Sequence, residues 1–449
     1  MADFTKCTAS ELSYLYSTRS ANPVMVAQQV LEKIQKLNPE INAFCFTDPE
    51  TTLQQAHASE QRWRKGQALS AMDGVPVAIK DSILTQGWPT LHGSVSVDPN
   101  QSWSEDAPVT ARLKEAGAVL VGKTNLSEFS NTAYHSNSTQ HGIVRNPWNL
   151  KHSPGGSSGG SAVAVSAGIV PLAIGTDCGA SIAVPSAFCG VFGMKPSFGR
   201  VPQYPGDSFN ITTVGPLARS VKDLSMIMNV ITKPDSRDWA SLPYDGTDYT
   251  VEKPNHLQDL RVAYCSSMEI ESVDTEIKTS TDRVKSWLSS MGAQVDLINL
   301  DLTIQQISDI LYTFLALDNQ KRWHTNKIKL DDLVPTFYHH MDQRKQLIRK
   351  MRDIMSTYDI ILCPATVFSA DQILVDDILS PNRKIKISPF STLFSTSQQP
   401  SVTIPVGLNS RSMPVAVMIA GAMHSDMVVL QVAGAIQQQF PMPACPVIL

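Results

Sequence analysis

Two serine-bearing glycine loops constrain this chain most: Ser153-Pro154-Gly155-Gly156-Ser157-Ser158-Gly159-Gly160-Ser161 and Gly175-Thr176-Asp177-Cys178-Gly179-Ala180-Ser181. Only the apolar stretch from Ala162 to Ile174 separates them. The small residues from Ser161 to Ala167 suit a tightly packed helix, and Ile169 to Ile174 suits a buried strand that delivers Gly175. A helix followed by a strand returns the chain to the end of the sheet it left, so the two loops are expected side by side. Serine hydroxyls held in glycine loops at element ends make the layout of an active site, not of a linker.

The surrounding pattern belongs to an α/β protein. Val75, Val77 and Ile79 alternate into a strand that ends at Lys80, and Ala118-Val119-Leu120-Val121 reads as a buried strand. Strands resume at Leu260 to Tyr264, Ile360 to Leu362, Val402 to Ile404 and Val415 to Val417, with helices such as Thr275 to Met291 between them. The amino-terminal part opens helical. Thr8 and Glu11 form a capping box, and Asn22-Pro23 starts a helix in which Val26, Val30, Ile34 and Leu37 recur on one face. Residues 234 to 258, with Pro243-Tyr244-Asp245-Gly246, read as a surface excursion and as the one candidate boundary.

Charge and cysteine usage exclude several function classes. A net charge of -4 without a basic cluster gives no attraction for nucleic acid or anionic lipid. The seven cysteines Cys7, Cys45, Cys178, Cys189, Cys265, Cys363 and Cys445 are odd in number and lack a C-x-x-C pair, which argues against a disulfide framework or a structural zinc site. A reducing cytoplasm is the expected compartment. The polar start lacks an apolar signal core, and Ala162 to Ile174 is too short to span a bilayer. His135, His141 and the pair His339-His340 show no ligand spacing and read as satisfied surface or core histidines. No metal and no cofactor are expected.

Gly155 to Gly159 matches the G-x-S-x-G elbow of α/β-hydrolases, but that turn follows a strand directly, and here His152-Ser153-Pro154 precedes the serine. A phosphate loop would close on Lys-Ser or Lys-Thr, which this segment lacks.

A more specific likeness is carried by Val77-Ala78-Ile79-Lys80-Asp81, Gly122-Lys123-Thr124-Asn125, Asn146-Pro147-Trp148, the two glycine loops, Gly193-Met194-Lys195-Pro196 with Gly199-Arg200, and Val214-Gly215-Pro216-Leu217-Ala218-Arg219-Ser220. Looser matches follow at Pro405-Val406-Gly407 and Met413-Pro414-Val415. In this order, over nearly the whole chain, these motifs resemble the amidase signature family, among stand-alone amidases and the A-subunit group of glutamyl-tRNA amidotransferases. The resemblance implies an α/β fold with a central mixed, mostly parallel sheet covered by helices on both faces. It also implies one domain over 1–449: a helical part at 1–65, the signature core at 66–232, a variable substrate-region excursion at 233–345 and a completing part at 346–449.

The same resemblance implies a Ser-Ser-Lys triad at Lys80, Ser157 and Ser181, with Ser181 as nucleophile, Ser157 as proton relay and Lys80 as base. A serine hydroxyl needs a neighbouring base near neutral pH, and lysine serves only if burial lowers its pKa from about 10.4. The backbone amides of Cys178, Gly179, Ala180 and Ser181 would form the oxyanion hole. Ser158, Asp177 and Gly156 would support the loops, with Ser157 following a cis peptide bond. Lys123 and Lys195 are rival lysines, Lys195 reading as a loop anchor, and Cys178 is expected to contribute backbone rather than a thiolate. Substrate walls are implied at Ser130 to His135, after Arg200 and near Thr313 to Trp323.

The chain departs from the family at the nucleophile. Where the family commonly has Gly-Gly-Ser-Ile-Arg, this chain has Gly179-Ala180-Ser181-Ile182-Ala183. Ala180 is harmless at negative φ and damaging at positive φ. Ala183 removes a cation that could pair with Asp177, which must then find backbone or water partners. The implied activity is hydrolysis of a small carboxamide or urea-like substrate. The rivals are the glutaminase subunit of a tRNA-dependent amidotransferase and a catalytically weakened scaffold. The expected partners are a small-molecule amide and a second copy of the chain in a homodimer, with neither nucleic acid nor membrane.

Overall fold

The computed structural model describes residues 2–251, 257–268, 273–323, 330–370, 374 and 388–446, and the side chains at 319–323 and 330–333 lie outside that description. The strands in chain order are β1 (Phe44–Phe46), β2 (Pro76–Lys80), β3 (Val119–Thr124), β4 (Asn137–Ser138), β5 (Gly142–Ile143), β6 (Leu172–Asp177), β7 (Phe192–Lys195), β8 (Thr213–Ala218), β9 (Arg261–Tyr264), β10 (Gln294–Leu297), β11 (Ile360–Pro364), β12 (Ser401–Leu408) and β13 (Pro414–Gly421). Apart from the small β4–β5 hairpin they form one sheet in the order β1-β3-β2-β6-β8-β7-β12-β13-β11-β9-β10. The sheet is mixed. Parallel pairing occupies two blocks, β3–β2–β6 and β11–β9–β10, and antiparallel pairs join them through the centre.

Strand periodicity explains why both faces are covered. Val77, Ile79, Leu120, Leu172 and Ile174 pack into one apolar cluster, while Ala78, Val119, Val121 and Ala173 pack into another on the opposite face. The second face carries helices Pro23–Ile41 and Gly159–Ser166, and the first carries Val221–Ile231 and Asp426–Gln439. Two residues beyond Ala78, Lys80 shares that residue's face and is directed toward helix Gly159–Ser166.

The helix signals are realised locally. The Thr8–Glu11 capping box forms, and the Asn22 side chain accepts the Met25 amide while Pro23 takes the first helical position. Between the glycine loops the strand begins at Leu172, not at Ile169. Gly168 takes φ +63° after the helix, and the Ile169 and Val170 amides both bond to the Ala164 carbonyl, so three apolar residues are spent on the turn. Among the described residues of 234–258 there is no helix or strand; positions 252–256 lie outside the description.

Candidate active site

Lys80 ends β2 completely buried, and its Nζ lies 2.6 Å from Ser157 Oγ, 2.9 Å from Ser158 Oγ and 2.8 Å from Thr176 Oγ1. Three hydroxyl oxygens around an ammonium in an apolar interior satisfy its donors without a carboxylate contact. Burial therefore dominates: it draws the Lys80 ammonium down to about 7, against the smaller opposing pull of the Asp177 carboxylate. Thr176 was not singled out from the sequence. Its motif position just before Asp177 places it there, because alternate residues of β6 face the same side.

The loops meet as their spacing suggested. The Ser158 amide donates to the Ser181 carbonyl at 3.1 Å, which ties the first loop to the second. Ser158 Oγ donates to the Thr176 carbonyl at 3.1 Å, so this hydroxyl bridges the lysine and the strand end. The Gly156–Ser157 peptide bond is cis. Glycine at 156 is dictated by a close approach: a Cβ there would overlap the His135 carbonyl. Among the described residues no hydrogen bond joins Ser157 to Ser181. The Lys80 to Ser157 link is formed and the next is not.

Asp177 organises the turn that presents Ser181. Its Oδ1 accepts the amides of Gly179 (3.0 Å) and Ala180 (2.8 Å) and the hydroxyl of Ser395 (3.0 Å), and its Oδ2 accepts the amides of Ile182 (2.7 Å) and Ala183 (3.3 Å). Backbone amides thus stand where the missing cation would have paired. The arrangement also revises the expected oxyanion hole. The Gly179 and Ala180 amides are turned to Asp177, whereas those of Cys178 and Ser181 carry no intramolecular hydrogen bond among the described residues. Ala180 has φ +150°, in the region that favours glycine, so its methyl group sits on strained backbone directly before Ser181.

The rival lysines are engaged elsewhere. Lys123 Nζ donates to the Ile83 carbonyl at 2.5 Å and to Thr90 Oγ1 at 2.7 Å, and Lys195 Nζ donates to the Gln399 carbonyl. Burial, then the adjacent Asp177 carboxylate, push the Cys178 thiol up to about 12, so it stays protonated near neutrality.

Two adjoining cavities open at this place and share Ser130, Cys178 and Leu315 as walls. The smaller, about 70 Å³, holds Ser181 among Tyr134, Leu311, Tyr312 and Thr392 and has no charged residue in its lining. The larger, about 440 Å³, is walled by residues after Arg200 such as Gln203 and Ser208, and by His92 and Asp318. The expected segments at 130–135, after 200 and near 313 all contribute, with side chains 319–323 of the last outside the description. Thr392 and His92 had no local signal, since each arrives from a distant part of the chain. Phe129 and Ser130, at the rim of these cavities, both have positive φ (50° and 58°), a strained pair of the kind that accumulates at ligand sites.

Residues 25–338 and 320–430 match the family model described as Amidase. The A-subunit of glutamyl-tRNA(Gln) amidotransferase from Coxiella burnetii is 31% identical over 96% of this chain and 97% of its own length. The corresponding A-subunit from Chloroflexus aggregans is 37% identical over 68% of this chain, a match spanning 62% of that relative. Among solved structures, the A-subunit from Thermotoga maritima superposes with a TM-score of 0.86 at 26% identity, covering 100% of this chain and 99% of that one. A bacterial aryl acylamidase of the amidase signature family shares the fold, with a TM-score of 0.86 at 24% identity over 97% of this chain and 96% of its own.

Proposed function

Because the chain belongs to the Amidase family, whose members are hydrolases of non-peptide carbon–nitrogen bonds, we propose that it cleaves a small, uncharged carboxamide through an ester on Ser181. The observation that carries this reading is the buried 2.6 Å contact between Lys80 and Ser157 behind the cavity that holds Ser181.

Neutral Lys80 takes the Ser157 proton as Ser157 takes that of Ser181, and Ser181 Oγ bonds to the amide carbon. The negative oxygen formed there meets the open amides of Cys178 and Ser181. The carbon–nitrogen bond then breaks as the proton returns along the same relay to the leaving nitrogen, which would otherwise depart as a very poor amide anion. Water attacks the ester with the relay again as base, releasing the carboxylic acid and restoring Ser181. The uncharged lining around Ser181 supports a substrate without a carboxylate near the scissile bond. An active-site serine probe tests the assignment: it should label the native chain and not Ser181→Ala, and equal labelling of both would refute it.

The amidotransferase relatives favour a second reading, in which glutamine is the amide and further protein components complete the enzyme. Free glutamine carries an α-carboxylate, and the described walls of both cavities offer no lysine or arginine to meet it. A panel of neutral amides beside glutamine, with ammonia detection, separates the two. Turnover of glutamine alone, only with those further components present, would reverse the order.

The same proposal places the protein in the cytoplasm, as one domain over 1–449 that pairs as a homodimer. Seven free cysteines and the continuous sheet support the first two. No helix among the described residues is long and apolar enough to cross a membrane. Light scattering tests the dimer.

A further inference from the structure

Cys45, Asp81 and His141 each offer one donor atom, and these atoms all lie within 4.8 Å of one another although the residues are far apart in sequence. We propose that they form a divalent-metal site suited to zinc, at the ends of β2 and β3 and made of side chains to which no role is assigned above. A thiolate, an imidazole and a carboxylate together favour a borderline metal over calcium or magnesium, which take oxygen donors.

Each donor is carried by a separately anchored segment. Cys45 lies in β1 where the register against β3 slips between Phe44 and Phe46, and its Sγ donates to the Lys123 carbonyl at 3.4 Å. Asp81 follows β2 directly, and its amide donates to the Thr124 carbonyl at 3.0 Å, so two neighbouring residues of β3 fix both donors. His141 lies in the β4–β5 turn, where its amide donates to Ser138 Oγ at 2.9 Å and its carbonyl accepts from Asn42 Nδ2 at 2.7 Å. Asn42 stands three residues before Cys45 in the chain, which ties the turn to β1.

The side chains retain capacity for a ligand. Each Asp81 oxygen accepts one amide at 3.1 Å, Oδ1 from Leu91 and Oδ2 from Gly93, and so keeps a second lone pair. The His141 ring makes no hydrogen bond among the described residues. Asp81 is buried while Cys45 and His141 are half-buried, which leaves a route for an ion. Zinc bonds of about 2.0–2.3 Å require the three donors to draw together slightly, with water as a fourth ligand. On binding, the Cys45 thiol loses its proton to solvent as the sulfur–zinc bond forms. Lys123, buried beside the cluster with its Nζ held by Ile83 and Thr90, is the opposing cation. Three protein ligands next to that charge bind zinc less tightly than closed four-ligand structural sites.

The test is titration of the full chain with Zn²⁺ by calorimetry and with Co²⁺ by absorption. The expected result is one equivalent of zinc and a sulfur-to-cobalt band in the near ultraviolet. Cys45→Ser should abolish the band, and His141→Ala, on a turn and so tolerant of change, should weaken binding at least about tenfold. Absence of zinc binding at roughly 10 μM free metal would overturn the proposal. Native-like binding in His141→Ala, or a cobalt band retained in Cys45→Ser, would overturn it equally. Circular dichroism confirms that both variants fold. Their amidase activity should be unchanged in metal-free buffer, so failure here leaves the reading of Ser181 untouched.

Discussion

The carboxylate of Asp177 holds the amide of Ala180 at 2.8 Å, one residue before Ser181. Its second oxygen holds the amide of Ile182, one residue after, at 2.7 Å. The Ser181 loop is therefore clamped on both sides by one side chain, and that clamp keeps an alanine at φ +150°.

Asp177→Asn replaces one acceptor oxygen by an NH₂ group that faces amide donors. Leaving buried amides unpaired costs about 1–3 kcal/mol, and a displacement of Ser181 by about 1 Å costs about 100-fold in rate. The expected outcome is a fall in kcat of about that size with KM little changed, and a matching loss of stability in denaturant titration. A variant that loses KM alone would assign Asp177 to substrate binding instead.

Ala180→Gly should stabilise the protein. Non-glycine residues at unfavourable positive φ cost of order 1–3 kcal/mol, while glycine adds about 0.5–1 kcal/mol of unfolded-state entropy. The net expectation is a gain of about 1 kcal/mol, read as a higher denaturation midpoint, with activity at or above the native level. A destabilised variant would mean that the methyl group's packing among Val184, Tyr134 and their neighbours outweighs the strain.

Ser157 and Ser158 both touch Lys80, and their variants separate relay from support. Ser157→Ala removes the proton path and should lower kcat by about 10²–10⁴. Ser158→Ala removes a second oxygen from the ammonium and the bond to the Thr176 carbonyl. It should cost about 1–3 kcal/mol of stability and less than about tenfold in rate. Equal rate losses would show that the lysine draws its proton through either serine.

What the sequence made legible was local and apolar. Alternation in Val75 to Ile79 and the capping residues Thr8 and Asn22 act within a few positions, so β2 and the first helices could be read directly. β1, at three residues, is too short for a period to register, and the short strand Phe192–Lys195 is held by pairing with β8 and β12. At the site, the Val77 to Asp81 motif and the glycine loops singled out Lys80, Ser157 and Ser181 as candidates, but hydrogen-bond direction is invisible in a motif. That is why the Gly179 and Ala180 amides were expected to face a substrate oxygen and instead face Asp177. Thr392 reaches the cavity from a helix more than two hundred residues beyond Ser181, and only tertiary packing brings it there.

Rate and stability should both follow the protonation of Lys80. Burial lowers its pKa from an ordinary value near 10.5 to about 7, and the relay needs the neutral amine. kcat/KM should therefore rise about tenfold per pH unit below pH 7 and level off above it. For stability, the unfolded chain binds more protons than the native one between about pH 7 and about pH 10.5, so the cost of burying the amine is fully present below that window. It is relieved as pH rises through the window, and Lys123 and Lys195, each lowered by burial to about 8, act in the same direction over most of it. Lys80→Met should flatten part of that rise and abolish turnover while keeping the fold, because methionine matches the lysine stem in volume and removes the charge, at the cost of a donor to Ser157, Ser158 and Thr176. Lys80→Arg stays protonated throughout and should lose activity by about 10²–10⁴ above pH 7, with the deficit shrinking below pH 7 as the native lysine is protonated too. A kcat/KM profile that is flat from about pH 5 to about pH 9 would mean that Lys80 is not the base.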